Sequence, residues 1–166
     1  RGFRNETLLI FTNDNGPVLE EMSQPFRGTK NTTYEGGVRQ PAILRWPGHT
    51  QPGTTKDGLF FIADFFPTFI RLAGGDTGQE RPIDGLDMTS MLFEGAPSPR
   101  TEIVYDVSGS VRLPTIRSGD FKLMGETLFN IRKDPSETTN VAAEHPSLVT
   151  ELKQRLDVLG NERPPL

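Results

Sequence analysis

At 166 residues and a formal net charge of −4, the chain has room for one ordinary core, or for a large piece with a small subdomain, and its acidic balance argues against a nucleic-acid partner. The absence of cysteine excludes a disulfide, a thiolate metal site and a thiol nucleophile within it. Its 17 glycines and 14 prolines lie between strand and helix signals and read as turns; no apolar run approaches the ~20 residues that span a bilayer, and the first stretch lacks the apolar region of a signal peptide.

Arg1 to Glu6 reads as the tail of a preceding helix and loop. Thr7-Leu8-Leu9-Ile10-Phe11-Thr12 is a continuous apolar run, which predicts a strand buried on both faces of a parallel sheet. Asp14 and Asn15 follow its carboxyl end, the rim at which open α/β sheets bind ligands. A carboxylate and an amide oxygen there suit a hard cation such as Ca²⁺. Asn13, Asp14, Asn15 and Gly16 are equally ordinary turn formers. Val18 to Arg27 is a polar connection. Gly28 and the Gly36-Gly37 pair then bracket Lys30, Tyr34, Glu35 and Arg39: glycines let backbone approach a ligand, and a lysine offers a compact, mobile charge to a tetrahedral oxyanion. The plainer alternatives are a solvated Lys30 and a structural Glu35–Arg39 ion pair.

Pro41 to Trp46 predicts a second short strand, stopped by Pro47-Gly48, with Trp46 in packing and His49 on the surface. Leu59-Phe60-Phe61-Ile62 is a third apolar run. Asp64 is the expected N-cap of a helix through Ala73, with Pro67 in its first turn, a core stripe of Phe65, Phe66, Phe69, Ile70, Leu72 and Ala73, and Gly74 at its end. The turn-rich stretch Gly74 to Pro99, broken by a helical turn at Met88 to Phe93, holds the expected boundary between domains 1–97 and 98–166. Beyond it, strand-like runs at Glu102 to Val107, Val111 to Arg117, Phe121 to Met124 and Thr127 to Ile131 are linked through Ser118-Gly119-Asp120 and Gly125-Glu126, which predicts an antiparallel meander. One helix, opening at Pro146, carrying Leu148, Val149, Leu152, Leu156 and Leu159 and closing at Gly160, should cover a face of it. Asp134-Pro135-Ser136-Glu137 reads as a turn rather than a metal loop.

Several segments in order, Thr12-Asn13-Asp14-Asn15-Gly16-Pro17, then Gly28-x-Lys30 with Tyr34-Glu35-Gly36-Gly37-x-Arg39-x-Pro41-Ala42, then Trp46-Pro47-Gly48, resemble the C-terminal half of a type I sulfatase of the arylsulfatase group. Asp64-x-x-Pro67-Thr68, Ile83-Asp84-Gly85-x-Asp87, Ile116-Arg117-x-Gly119-x-Phe121-Lys122-Leu123 and Asp134-Pro135-x-Glu137-x-x-Asn140 extend the likeness across most of the chain. The resemblance implies an α/β fold: part of the alkaline-phosphatase-like mixed sheet flanked by helices, plus a small C-terminal α+β subdomain with a four-stranded antiparallel sheet and one helix. It implies hydrolysis of sulfate esters, aryl or carbohydrate, in which a formylglycine hydrate attacks sulfur while one Ca²⁺ and positive side chains neutralise charge on the sulfate oxygens.

On that resemblance Asp14 and Asn15 match metal ligands, and Lys30 matches the lysine that contacts sulfate and stabilises charge near the leaving oxygen. The remaining Ca²⁺ ligands and the formylglycine belong to an N-terminal half, the implied partner of this chain, and the enzymes work in extracytoplasmic compartments. Formylglycine arises from Cys or Ser with Pro two residues on and Arg four residues on. The expectation is that this chain carries no such motif, Ala96-Pro97-Ser98-Pro99-Arg100 being the nearest likeness, and that it is inactive alone. Two alternatives remain open here: a phosphoester or phosphonate hydrolase of the same superfamily, and a standalone binding module without catalysis, for which the apolar edge at Leu8 to Phe11 would need covering.

Overall fold

The computed structural model describes residues 2–78, 83–105 and 114–161. The chain forms two compact units: Arg1–Phe11 with Ala42–Thr101, and Thr12–Pro41 with Glu102–Leu166. The sequence division at 97/98 follows chain order. The grouping by contact instead joins Thr12–Pro41 to the C-terminal strands, because Glu35 of that segment is buried against Lys122.

β1 (Leu9–Thr12), which lies in the first unit up to Phe11, and β2 (Ala42–Arg45) form a two-stranded sheet. The expectation that β1 is buried on both faces is corrected. Leu9 and Phe11 are 58% and 59% exposed, and Ile43 of β2 is 61% exposed, since no layer among the described residues covers that face. Thr7 and Leu8 precede the strand. The third apolar run, unlike the first two, forms no strand: Ser98 Oγ donates to the Leu59 carbonyl at 2.6 Å, the Phe60 ring packs on Phe65 at 4.7 Å, and the chain turns at Ile62–Asp64 into α2 (Phe65–Leu72).

Pro67 is buried in the first turn of α2, as its missing amide hydrogen permits. Phe66 and Phe69, expected in the core, are 57% and 44% exposed. At the other end Gly74, at φ +78°, donates to Arg71 O and Gly75 donates to Ile70 O, a paired bonding pattern that satisfies the last carbonyls. Asp64 differs from a simple N-cap. Its own backbone is already helical, and its fully buried carboxylate accepts from Phe61 N at 2.7 Å, Leu86 N at 2.8 Å and the Arg100 guanidinium. The helical turn expected at Met88 to Phe93 is a wide π turn, Ser90–Glu94, over buried Met88 and Met91.

In the second unit, β3 (Glu102–Tyr105), β4 (Thr115–Ser118), β5 (Phe121–Met124) and β6 (Thr127–Asn130) form the expected antiparallel meander in that order. Gly119 and Gly125, at φ +54° and +55°, make its two tight turns. The predicted ends at Val107 and Val111 lie outside the described residues. Register places Ile116 opposite Leu123 and Leu123 opposite Leu128, and Arg117 opposite Lys122 and Lys122 opposite Phe129. The alternation of a strand sends these two sets to opposite faces. The leucine and isoleucine face packs with Leu152 and Leu156 of α3 (Pro146–Asn161). That helix runs through Gly160 rather than stopping there; one glycine costs only ~1 kcal/mol against alanine. The other face carries the buried lysine.

Candidate functional site

Asp14, Asn15 and Lys30 all belong to the second unit. Asp14 and Lys30 are exposed and Asn15 is half-buried. Backbone bonds bring their loops together. Lys30 N donates to Pro17 O at 2.8 Å, and Gly16 N donates to Gly37 O at 2.9 Å. Asn15 is two residues from Pro17, so its Cα lies within ~7.6 Å of that of Pro17, two steps of ~3.8 Å. Lys30 occupies a turn closed by Thr32 N on Thr29 O at 3.0 Å, with Asn31 at φ +70°, a position asparagine tolerates. Among the described residues no hydrogen bond or ion pair engages the side chains of Asp14, Asn15 or Lys30. A carboxylate, an amide oxygen and an ammonium are thus unengaged by the described residues.

The glycines serve a purpose other than the expected one. A Cβ on Gly16 would lie 1.9 Å from Gly36 O, one on Gly36 2.2 Å from Gly28 O, and one on Gly37 2.3 Å from Thr32 O. They let three backbone segments interlock with one another, which fixes the Asp14 loop against the Lys30 turn.

Beneath this knot lies a buried charge cluster that sequence reasoning passed over. Lys122 on β5 is fully buried; its Nζ donates to Glu35 Oε1 at 3.0 Å and lies 2.9 Å from Glu137 Oε1, there outside hydrogen-bond angles, so that contact is ionic. Arg117 Nη1 donates to Glu35 Oε2 at 3.2 Å. Glu35 opens the short helix α1 (Glu35–Val38), and its backbone N donates to Glu137 Oε2 at 2.6 Å. The anticipated Glu35–Arg39 contact exists at 3.7 Å, with Arg39 half-exposed, and is the weakest of the set. Glu137 sits in the predicted turn at φ +54°, wholly buried. Burial pushes its carboxyl above the usual range, an effect that Lys122 opposes. Burial, together with the Glu35 charge, likewise holds the Tyr105 phenol well above its ordinary value. The sequence signals were Lys122, a lysine within the apolar run of β5, and the family-like segments that carry Arg117 and Glu137.

Ser23-Gln24-Pro25-Phe26-Arg27 carries Ser, Pro and Arg at the formylglycine spacing and is a closer likeness than Ala96 to Arg100, so the expectation that no such motif occurs is corrected. Its local structure gives it another task. Ser23 is 6% exposed, and its Oγ lies 2.8, 3.1 and 2.9 Å from the carbonyl oxygens of Glu20, Phe26 and Gly28. Arg27 stacks over Tyr34 at 4.2 Å and donates to Glu137 O at 3.1 Å. Both side chains tie the loop down.

Among the described residues no group of three or more His, Asp or Glu stands ready to hold a metal. Asp14 and Asn15 supply two oxygen donors, a set whose chemistry fits a hard cation that draws its other ligands from elsewhere.

The family model described as Sulfatase matches residues 1–75. Human arylsulfatase A is 35% identical over 167 residues, covering 92% of this chain and 32% of the relative. N-acetylgalactosamine-6-sulfatase of Sus scrofa is 38% identical over 105 residues, covering 60% and 20%. Among solved structures, Ps i-CgsB in complex with k-i-k-neocarrahexaose superposes with a TM-score of 0.83 at 26% identity, over 94% of this chain and 37% of that one. The chain spans about a third or less of the curated relatives it matches. Family match, relatives and superposition agree, and the chain belongs to the sulfatase family.

Proposed function

We propose that this chain supplies part of the active site of a sulfuric ester hydrolase acting on aryl or carbohydrate sulfates. The observation that carries the reading is the knot that joins the Asp14-Asn15 loop to the Lys30 turn and leaves three complementary side chains without partners among the described residues. Asp14 and Asn15 would hold one Ca²⁺, which supplies electrostatic neutralisation of sulfate oxygens when bound. Lys30 would place its ammonium against the sulfate, where charge gathers as the ester bond breaks. Its position at a turn corner gives the side chain reach, while the backbone bond to Pro17 holds its base still.

Two ligands fall short of the six to eight or so that Ca²⁺ takes, so the others come from residues beyond these 166, as does the formylglycine nucleophile. The 166-residue chain alone is therefore inactive. The relatives' names, an arylsulfatase and an N-acetylgalactosamine-6-sulfatase, support the substrate class, and an extracytoplasmic location goes with that reading. The test is hydrolysis of a chromogenic aryl sulfate, and of sulfated sugars, by the protein as expressed from its own gene. Lys30→Ala and Asp14→Ala should each lower kcat/KM at least 100-fold, the loss typical of removing a group that stabilises transition-state charge. Turnover by the 166-residue chain itself, or full activity in Lys30→Ala, would refute it.

A further inference from the structure

Arg117 and Lys122 face each other across β4 and β5. Like charges so placed repel, and the pairing is tolerable only with a carboxylate between them. Glu35 is that carboxylate, one oxygen on each cation. Glu35 therefore cannot move without leaving two cations unshielded, one of them fully buried. Its own backbone is fastened in the same place by Glu137 Oε2, and Glu137 is fastened in turn by Lys122.

From Glu35 the connection runs by direct bonds to the ligand-bearing loops. Gly36 N donates to Arg27 O at 2.8 Å, and Gly37 O accepts from Gly16 N, the residue after Asn15. Arg27 also reaches back to the Glu137 carbonyl. A two-step path thus joins Lys122, 92 positions beyond Lys30 in the sequence, to the Asp14-Asn15 loop. Nothing in the proposed chemistry uses Lys122, and burial keeps its ammonium from any substrate.

We propose that Lys122, acting with Glu137 through Glu35, is a positioning residue that holds the Asp14-Asn15 loop in register with the Lys30 turn. The inference rests on the reading of that loop as the metal and sulfate site. It assigns a role in that site to the β5 strand of the C-terminal meander. Its effect is on geometry: without the Lys122 anchor, α1 loosens and the Gly37–Gly16 bond no longer fixes the loop.

The experiment uses the protein as expressed from its own gene, with Lys122→Met and the double variant Lys122→Met/Glu137→Gln. The double variant removes a cation together with the carboxyl it neutralises, so no unpaired Glu137 charge is left to unfold the protein, and the glutamine oxygen can still accept from Glu35 N. Hydrogen exchange is followed by mass spectrometry in peptides spanning 12–18 and 28–38, with peptides of α3 as reference, and Ca²⁺ affinity by calorimetry. The expected result for the double variant is exchange at least ten-fold faster in both peptides, unchanged exchange in α3, and Ca²⁺ binding about 10- to 100-fold weaker, the scale on which groups supporting metal ligands act. Unchanged exchange in both peptides overturns the inference whatever the metal does. Uniformly faster exchange that includes α3 also overturns it, by making Lys122 a general stabiliser. A wild-type protein that binds no Ca²⁺, and whose metal response ignores Asp14→Ala, overturns the reading of the site instead; the exchange data, which need no metal, still decide the anchoring.

Discussion

Gly16→Ala is the sharpest test of the backbone knot. The added Cβ would sit 1.9 Å from Gly36 O and 2.9 Å from the Gly37 Cα, against ~3.5 Å for relaxed nonbonded contact. Both obstacles are backbone, so no side chain can swing away, and the segments must part by more than 1 Å or so. Overpacking of this kind costs ~1–3 kcal/mol, and the strained Gly16–Gly37 hydrogen bond adds about 1 kcal/mol. Alanine in the unfolded chain offsets ~0.4–1 kcal/mol of that. The net expectation is a loss of about 1–3.5 kcal/mol in chemical denaturation, by the same balance of terms. Function should suffer more than stability, because a ~1 Å misplacement of reacting groups can cost ~100-fold in rate. Gly48→Ala is the control: its Cβ meets open space, and at φ +84° it carries only backbone strain, about 1–2 kcal/mol, with no push on the Asp14 loop. A Gly16→Ala protein within ~0.5 kcal/mol of wild type, with unchanged turnover and Ca²⁺ affinity, would refute the knot, since 0.5 kcal/mol is the scatter of neutral substitutions.

Two further outcomes test the charged clusters. The raised Glu137 carboxyl means that the folded state binds its proton more tightly than the unfolded chain does. Its contribution to stability is therefore complete below the ordinary glutamate value of ~4.3 and is lost as pH climbs through the raised one. Glu137→Gln should abolish that slope, so that wild type gains on the variant toward acid in urea melts at stepped pH; parallel curves would refute the shift. In the first unit, Arg100→Ala strands the fully buried Asp64 carboxylate and should cost ~3–5 kcal/mol, whereas Arg100→Lys, which keeps the charge but not the fork, recovers only part. Arg100→Lys melting like wild type would show that the guanidinium geometry is irrelevant.

The meander and its covering helix were legible because both signals are local: glycines at two hairpin corners, and a leucine stripe at helical spacing in α3. Asp14, Asn15 and Lys30 were singled out as residue types in a pattern, and the backbone bonds that join their loops are ones no periodicity announces. Glu137 was read as part of a turn, which it is. Its burial was hidden because its partners, Glu35 and Lys122, meet it only through strand register and a loop 102 residues away. Ser23 shows the converse hazard: a spacing that suggests chemistry can belong to a hydroxyl turned inward, its one proton shared among the carbonyls of a bend. The apolar pattern of β1 gave the strand but overstated its cover, since hydrophobicity reports what a residue seeks to bury and not what stands against it.

The unit that carries Asp14 and Lys30 is assembled from two stretches of chain with residues 42–101 between them. During synthesis Glu35 leaves the ribosome 87 residues ahead of Lys122, so the loops it anchors stay unlocked until β5 has been made. A stop codon placed just ahead of the meander would spare Asp14, Asn15 and Lys30, and would still deprive them of the bolt that closes their loops.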